Sequence, residues 1–136
     1  WMLADDVLIW HKADVSIAYV CEDPTKFTSH SDSATTVPIG YEAITELPRT
    51  EGYVLSMAHS TKGYSFAEKV GGSSNKGYCD YYWTPTGGST WSAVGWYGAL
   101  LSANAANGAH AGFGYLGALN RSSLAAANIG FRLCRF

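Results

Sequence analysis

Apolar residues occupy alternate positions in several short stretches of the chain. This period of two runs through residues 13–20 and 52–58, and it returns around residues 129–133 near the end. Alternation of this kind is typical of strands with one buried face. Residues 63–66 follow the second stretch closely and are predicted to be its hairpin partner. The last stretch is predicted to close the core.

Two helices complete the predicted elements. Residues 41–47 lie between Pro38 and Pro48, and the second proline would end a short helix there. Another helix is predicted directly after Trp1. Between about residues 69 and 128 turn-forming residues are so frequent that long regular elements are not expected. Long ordered loops inside a compact domain usually carry function.

Composition narrows the class of protein. The 136 residues are enough for one domain, 47% of them are hydrophobic and only 15% are charged, which excludes a disordered chain. A net charge of −2 argues against a nucleic-acid partner held through phosphates. No apolar run is long enough for a membrane span, and no signal peptide is recognised. Because the chain opens on Trp1, we expect it to begin inside a longer or processed protein, and the family resemblance given below implies that it is the C-terminal domain.

Charge divides the chain into two halves. All lysines and glutamates lie at or before residue 76, and the second half is rich in Gly, Ala, Ser, Asn and aromatic residues. Its tryptophans, Trp83, Trp91 and Trp96, are expected to pack in the core or under loops. The alternative is a stacking platform for a sugar or a base. So many rings exclude a flexible linker.

Most motifs in the sequence that match a known chemistry lack the neighbouring residues or elements that this chemistry requires. Residues 112–117 match G-x-G-x-x-G but lack the flanking strand, helix and acidic residue of a dinucleotide site. The four histidines are scattered, and the three cysteines form no zinc or disulfide pattern. Asp5 and Asp6 fall in the predicted first helix, where a solvated or helix-N-terminal role is expected. No metal site is predicted.

Two segments resemble a known family when taken together. Residues 87–91 are Gly-Gly-Ser-Thr-Trp, and residues 128–133 are Asn-Ile-Gly-Phe-Arg-Leu. This pairing resembles the formylglycine-generating-enzyme branch of the C-type lectin fold. The resemblance implies an α+β C-type lectin-like domain covering residues 1–136, with small antiparallel sheets, about two helices and long ordered loops. The implied scaffold comprises Gly87, Gly88, Trp91, Trp96, Asn128, Gly130, Phe131 and Arg132.

The enzymes of that branch carry reactive cysteines shortly after the Gly-Gly-Ser-Trp element. Residues 92–97 contain none, and Cys79 and Cys134 lie elsewhere. The chain also lacks the Glu-Pro-Asn, Gln-Pro-Asp and Trp-Asn-Asp triplets of calcium-dependent lectins. We therefore expect no enzyme activity and no cofactor, and leave a structural calcium open. A degenerate formylglycine-generating-type enzyme and an invariant tail or adhesin module are the alternatives.

Residues 120–136 are more similar still to the end of a variable protein of a diversity-generating retroelement. In such systems an error-prone reverse transcriptase randomises adenines, mostly in the first two positions of Asn codons. Those changes cannot produce Lys, Glu, Gln, Met or Trp. From Gly77 to Phe136, 60 residues, there is no Lys, Glu, Gln or Met, where about ten would be expected from average usage. A Gly/Ala-rich loop domain of biased composition is the competing interpretation.

The resemblance implies a binding protein whose diversified segment spans roughly residues 81–128. Its partner would be a protein or glycan on a cell surface, and the domain itself would lie on a virion tail or a cell surface. Candidate variable residues break the Asn/Ala/Gly background and should share one exposed face: Ser92, Ala93, Gly95, Tyr97, Leu101, His110, Gly117, Leu119, Arg121 and Leu124. Second-rank candidates are Tyr81, Tyr82, Pro85 and Thr90.

Overall fold

The fold is built almost entirely from strands. The computed structural model describes residues 2–12, 15–28, 35–76, 78, 80–84, 94–101, 116–118 and 130–131. Within these ranges there are nine strands and a single 3-10 turn at Pro24–Lys26. The strands are β1 Met2–His11, β2 Ser16–Val20, β3 Glu42–Leu47, β4 Gly52–His59, β5 Ser65–Val70, β6 Tyr81–Trp83, β7 Gly95–Leu101, β8 Leu116–Gly117 and β9 Gly130–Phe131.

The strands form one strongly curved sheet. Their order is β3-β2-β1-β7-β8-β6-β4-β5, and β9 adds to β1 in parallel. The two outer strands, β3 and β5, contact each other, so the sheet is nearly closed into a barrel. Neighbours in sequence pair as antiparallel hairpins at β1–β2, β2–β3 and β4–β5. β6 and β8 are parallel. The second half of the chain joins the first through the pairings of β1 with β7 and β9 and of β4 with β6.

The expected α+β, C-type lectin-like fold with about two helices is wrong. Both segments predicted as helices are strands: residues 41–47 contribute β3, and the residues after Trp1 form β1. A helix between Pro38 and Pro48 would have been too short to be stable alone, whereas β3 gains a full hydrogen-bonded partner in β2. Residues 7–9 of β1 are apolar and buried on both faces, and such a run does not distinguish a buried strand from a buried helix.

The alternating stretches form strands, but the expected single buried face is wrong: β2 is buried on both faces, and in β4 Val54 is buried whereas Leu55 is 41% exposed. The predicted strands at residues 13–20 and 52–58 are confirmed as β2 and β4, and β5 is the expected hairpin partner of β4. Near the end of the chain, Gly130–Phe131 pairs with Met2 and Leu3; the remainder of that predicted strand lies outside the described residues. Strand β7, seven residues long, was not predicted.

The sheet is covered by side chains on both of its faces. Inside the barrel, Ile9, Val20, Val54, Tyr97 and their neighbours form the main core. Outside it, a second cluster is centred on Trp96 and also contains Leu8, Tyr19, Cys21 and Tyr41. Successive residues of a strand point to opposite faces, so β1 and β7 contribute to both clusters. Because both faces are buried, these two strands lack the polar alternation of a half-exposed strand.

The barrel has two ends that differ in chemistry. We call the end where β1 begins and the β4–β5 turn lies the upper end, and the end where β1 finishes at His11 the lower end. The antiparallel register of β1 with β2 and β7 places Cys21 and Leu101 toward the upper end and Ser16 and Gly95 at the lower end. Polar side chains gather at both ends, and the middle of the barrel is apolar.

Candidate functional site

The candidate variable residues in the described ranges lie in the barrel wall. Tyr97 is 1% exposed and Tyr82, of second rank, is fully buried; Gly95 and Gly117 are buried too. The expectation that these positions lie on an exposed face is therefore wrong for them. Alternation in β6 and β7 turns Tyr82 and Tyr97 into the interior, where their rings fill the core. Packing on both sides of β7 could not be inferred from the sequence of that segment alone.

Leu101 and Tyr81 are half-buried. Trp96, expected to belong to the scaffold, is fully buried, with ring centroids of Trp10 and Tyr19 at 4.8 and 5.2 Å from its own. The backbone of Gly130 and Phe131 forms β9. The remaining candidates lie outside the described residues: Ser92, Ala93, His110, Leu119, Arg121, Leu124, Pro85 and Thr90 among the variable ones, and Gly87, Gly88, Trp91, Asn128 and Arg132 among the scaffold ones.

The register of the strands fixes where the second half of the chain meets the barrel. β7 starts at the lower end, where Gly95 pairs with His11. It finishes toward the upper end, where Leu101 pairs with Met2 and with Leu116 of β8. The last residue of β6, Trp83, pairs with Gly117 of β8, and Gly117 pairs in turn with Leu100 near the end of β7.

A buried polar cluster occupies the lower end. His11 is 1% exposed, and its Nδ1 lies 2.7 Å from Oγ of the fully buried Ser16. Arg49, just after β3, points Nη1 at His11 Nδ1 over 3.0 Å and donates to the Lys12 carbonyl over 2.8 Å. Arginine cannot accept a hydrogen bond, so Arg49 is the donor in its contact with His11 Nδ1. Here Arg49 joins β3 to the β1–β2 hairpin.

Two hydroxyl groups lie deeper in the same half of the barrel. Tyr82 and Thr84 are fully buried. Burial raises the pKa of Tyr82 to about 12, although Thr84 and the positive charge of Arg49 oppose the shift. The phenol therefore stays protonated throughout the physiological range.

An open groove of about 300 Å³ lies at the upper end. It is lined by residues from β1, from the segment after β2 and from the β4–β5 turn: Asp6, Cys21, Glu22, Phe27, Lys62, Gly63 and Tyr64. Gly63 adopts φ +83°, a left-handed conformation that glycine takes without strain, and this turns the chain so that Lys62 and Tyr64 both line the groove. The Tyr64 hydroxyl donates to Asp6 Oδ2 over 3.2 Å and connects the turn to β1.

The charges around the groove are mainly negative. Lys62 Nζ donates to Glu42 Oε2 over 2.7 Å and to Glu22 Oε2 over 3.1 Å. These bonds raise the pKa of Lys62, and the bond from Lys62 lowers that of Glu42. Desolvation, then the charge and hydrogen bond of Asp6, raise the pKa of Tyr64 to about 12. Within the described part of the chain, no lysine or arginine forms a salt bridge with Asp6.

Sequence reasoning missed this groove. Asp5 and Asp6 were expected in a helix, as solvated or helix-N-terminal residues, but they lie in β1, where Asp5 is exposed and Asp6 half-buried. Desolvation, followed by the charge of Asp6, raises the pKa of Asp5. The adjacent acidic pair was the available signal. Its relation to Tyr64, 58 residues away, depends on barrel closure.

Three aromatic rings form a strip on the outside of β4 and β6. Tyr53 and Tyr81 are paired across the two strands with ring centroids 5.0 Å apart, and Trp83 follows at 4.8 Å from Tyr81. All three are half-buried. Trp83 lies at one end of this strip. The sequence left open whether it is a packing residue or a stacking residue.

The described side chains contain no group of three or more His, Cys, Asp or Glu placed to hold a metal ion. None of the described segments forms a helix with the length and apolar character needed to cross a bilayer.

Comparison of the chain with protein-family models, with curated proteins and with solved structures finds no match.

Proposed function

We propose that this chain is a ligand-binding protein whose C-terminal half is diversified by a retroelement. The observation that carries the proposal is the complete absence of Lys, Glu, Gln and Met from Gly77 to Phe136. Mutation of adenines in the first two positions of Asn codons produces neither these residues nor Trp. The partner is a protein or glycan on a cell surface, and the domain is displayed on a virion tail or a cell.

The barrel supports a division between constant and variable positions. Tyr82, Trp96 and Tyr97 fill the two cores, and overpacking or truncation at such sites is costly. The buried positions are therefore proposed to be constant: Gly95, Tyr97, Gly117 and Tyr82. Diversity is proposed for the segments that connect the strands. The positions retained are Ser92, Ala93, His110, Leu119, Arg121 and Leu124, with Leu101 and Tyr81 as wall positions that are half-buried.

The retained positions are proposed to act on one partner. The described end of β6 at Trp83 lies beside Gly117 of β8, which pairs with Leu100 near the end of β7. The segments that follow β6 and β7 therefore start from neighbouring places in the barrel wall. That the retained positions share one exposed face stays a prediction.

Catalysis is less well supported than binding. The arrangement most like a catalytic pair is His11 with Ser16, whose Nδ1 and Oγ are 2.7 Å apart. Ser16 is fully buried and His11 is 1% exposed, so a substrate does not reach the hydroxyl. Nδ1 also accepts from Arg49, a contact that fixes the ring. The pair therefore acts as a structural link between strands.

Sequencing of the coding DNA and its surroundings tests the proposal. We expect a near-identical repeat of the 3′ coding segment that differs mainly at adenines and lies beside a reverse transcriptase gene. Across a population, amino-acid changes should concentrate in the connecting segments and spare codons for Tyr82, Trp96 and Tyr97. Substitutions spread evenly over the gene, without any such repeat, would contradict the proposal. A binding experiment compares two natural variants that differ only at these positions. The two variants should bind different cell surfaces.

A further inference from the structure

The groove at the upper end is a separate feature of the first half of the chain. The described residues that line it all lie at or before residue 64, outside the segment proposed to vary. Its floor and walls come from three elements that are far apart in sequence: β1, the segment after β2 and the β4–β5 turn. Hydrogen bonds fix their mutual position, since Cys21 N donates to the Asp6 carbonyl over 2.9 Å and Tyr64 donates to the Asp6 carboxylate.

The groove joins negative charge to aromatic surface. Among the described residues, Asp6, Glu22 and the adjacent Glu42 supply three carboxylates, and Lys62 supplies one ammonium. Lys62 is shared between the two glutamates, whereas the described partner of the Asp6 carboxylate is the hydroxyl of Tyr64, which carries no charge to balance it. The half-buried rings of Phe27 and Tyr64 line the same space. A cation is attracted both to a carboxylate and to the face of such a ring.

We propose that this groove binds an organic cation carried on an aliphatic stem, of the kind that a lysine side chain or a free alkyl diamine provides. The ammonium would contact the Asp6 carboxylate, and the stem would lie against Phe27 and Tyr64. A volume of about 300 Å³ is at the lower limit for small-molecule sites and accommodates one such chain. The site would be the same in every member of a diversified population, because it lies outside the variable segment.

Titration of the whole chain by NMR tests the proposal. The probes are the peptide N-acetyl-Gly-Lys-Gly-amide, its norleucine counterpart, which keeps the stem without the charge, and 1,5-diaminopentane. We expect the lysine peptide or the diamine to shift the amide signals of Gly63 and Tyr64, and added salt to weaken the effect. Tighter binding of the peptide would identify a partner protein as the source of the cation, and tighter binding of the diamine a small molecule. Equal binding of the norleucine peptide would overturn the proposal.

Three variants separate binding from folding. Asp6→Asn keeps an oxygen for the Tyr64 hydroxyl and should weaken binding about two- to fivefold, the effect of one exposed charge pair. Lys62→Gln removes the one ammonium found among the described residues that line the groove. It should tighten binding by a similar factor, a gain that misfolding does not produce. Glu68→Gln, an exposed carboxylate on β5, is the charge-matched control and should change nothing.

Unchanged affinity in folded Asp6→Asn, or weaker binding in Lys62→Gln, would overturn the proposal. If Asp6→Asn fails to fold, Lys62→Gln and Phe27→Leu still decide the matter, because Phe27→Leu keeps an apolar side chain and loses only the ring face. These results are independent of whether the C-terminal half is diversified.

Discussion

The hydroxyl of Tyr41 donates a hydrogen bond of 2.6 Å to the carbonyl of Asp5. That carbonyl lies where the pairing of β1 with β7 shifts register between Ala4 and Leu8, so the regular ladder is interrupted there. Tyr41 is 5% exposed, and its oxygen also accepts from the amide of Thr28 over 3.3 Å. One side chain thus connects the bulge of β1, the segment after the 3-10 turn and the start of β3.

Removal of this hydroxyl should destabilise the fold. Tyr41→Phe keeps the ring and leaves the Asp5 carbonyl without its partner, which we expect to cost about 1–3 kcal/mol in the free energy of unfolding. Urea unfolding followed by circular dichroism measures the change. Tyr78→Phe is the control, since Tyr78 is 51% exposed and should lose less than about 0.5 kcal/mol. Equal effects of the two substitutions would show that the Tyr41 bond does not stabilise the bulge.

The contacts of Arg49 at the lower end should matter in the same way. Arg49→Met removes the donor to the Lys12 carbonyl and to His11 while keeping the aliphatic stem. We expect a loss of about 2 kcal/mol, the usual range for hydrogen bonds made by a charged group. Thermal unfolding reports it, with exposed Lys69→Met on β5 as the control. A melting temperature equal to that of the control would mean that Arg49 does not hold the β1–β2 hairpin to β3.

Stability should fall steeply in alkali because of Tyr82. Its pKa rises from the ordinary 10.0 to about 12 in the folded chain. Between these values the unfolded chain has lost the phenolic proton and the folded chain keeps it, so unfolding releases a proton and becomes easier as pH rises. The contribution is present below pH 10 and about 2 kcal/mol of it is gone near pH 12. Tyr82→Phe should make the decline shallower by this amount.

The measurement for Tyr82 is urea unfolding at a series of pH values from 8 to 12. Tyr78→Phe again serves as the control, since its ring is half-exposed. A decline in Tyr82→Phe as steep as that of the unmodified chain would show that the phenol is not buried in the core.

Trp96 should be the most sensitive aromatic residue of the outer cluster. It is fully buried and its ring contacts those of Trp10 and Tyr19. Trp96→Ala should cost about 3–5 kcal/mol as a buried aromatic truncation. Leu55→Ala, at a position 41% exposed on β4, should cost far less. Denaturant unfolding compares the two, and similar midpoints would place Trp96 outside the core.

Local pattern predicted β2 and β4 because their apolar residues alternate in the sequence. The hairpin of β4 with β5 follows from their proximity in sequence. Residues 7–9 of β1 and 95–100 of β7 are buried on both faces, and no period of two survives there. The segment that became β3 was short enough for a helix or a strand, and pairing with β2 decided it.

The candidate sites show the same division between what the sequence predicted and what only the structure showed. Composition pointed to the second half of the chain as the variable part, but it did not distinguish a buried Tyr97 from an exposed one, because both are reachable by the same codons. The groove joins Asp6 to Tyr64 and Glu22 to Lys62. These residues are brought together by closure of the sheet, which pattern does not report.

By itself, the sequence determined which stretches alternate and where the lysines and glutamates stop, and it predicted a single ordered domain. These properties are local or additive, so they can be counted along the chain. Only the tertiary structure decided that the sheet closes, that β1 and β7 are buried on both faces, and that an acidic groove and a buried His11–Arg49 contact lie at opposite ends. Each of those depends on pairing between distant strands, where the free energy of burial and hydrogen bonding outweighs local preference.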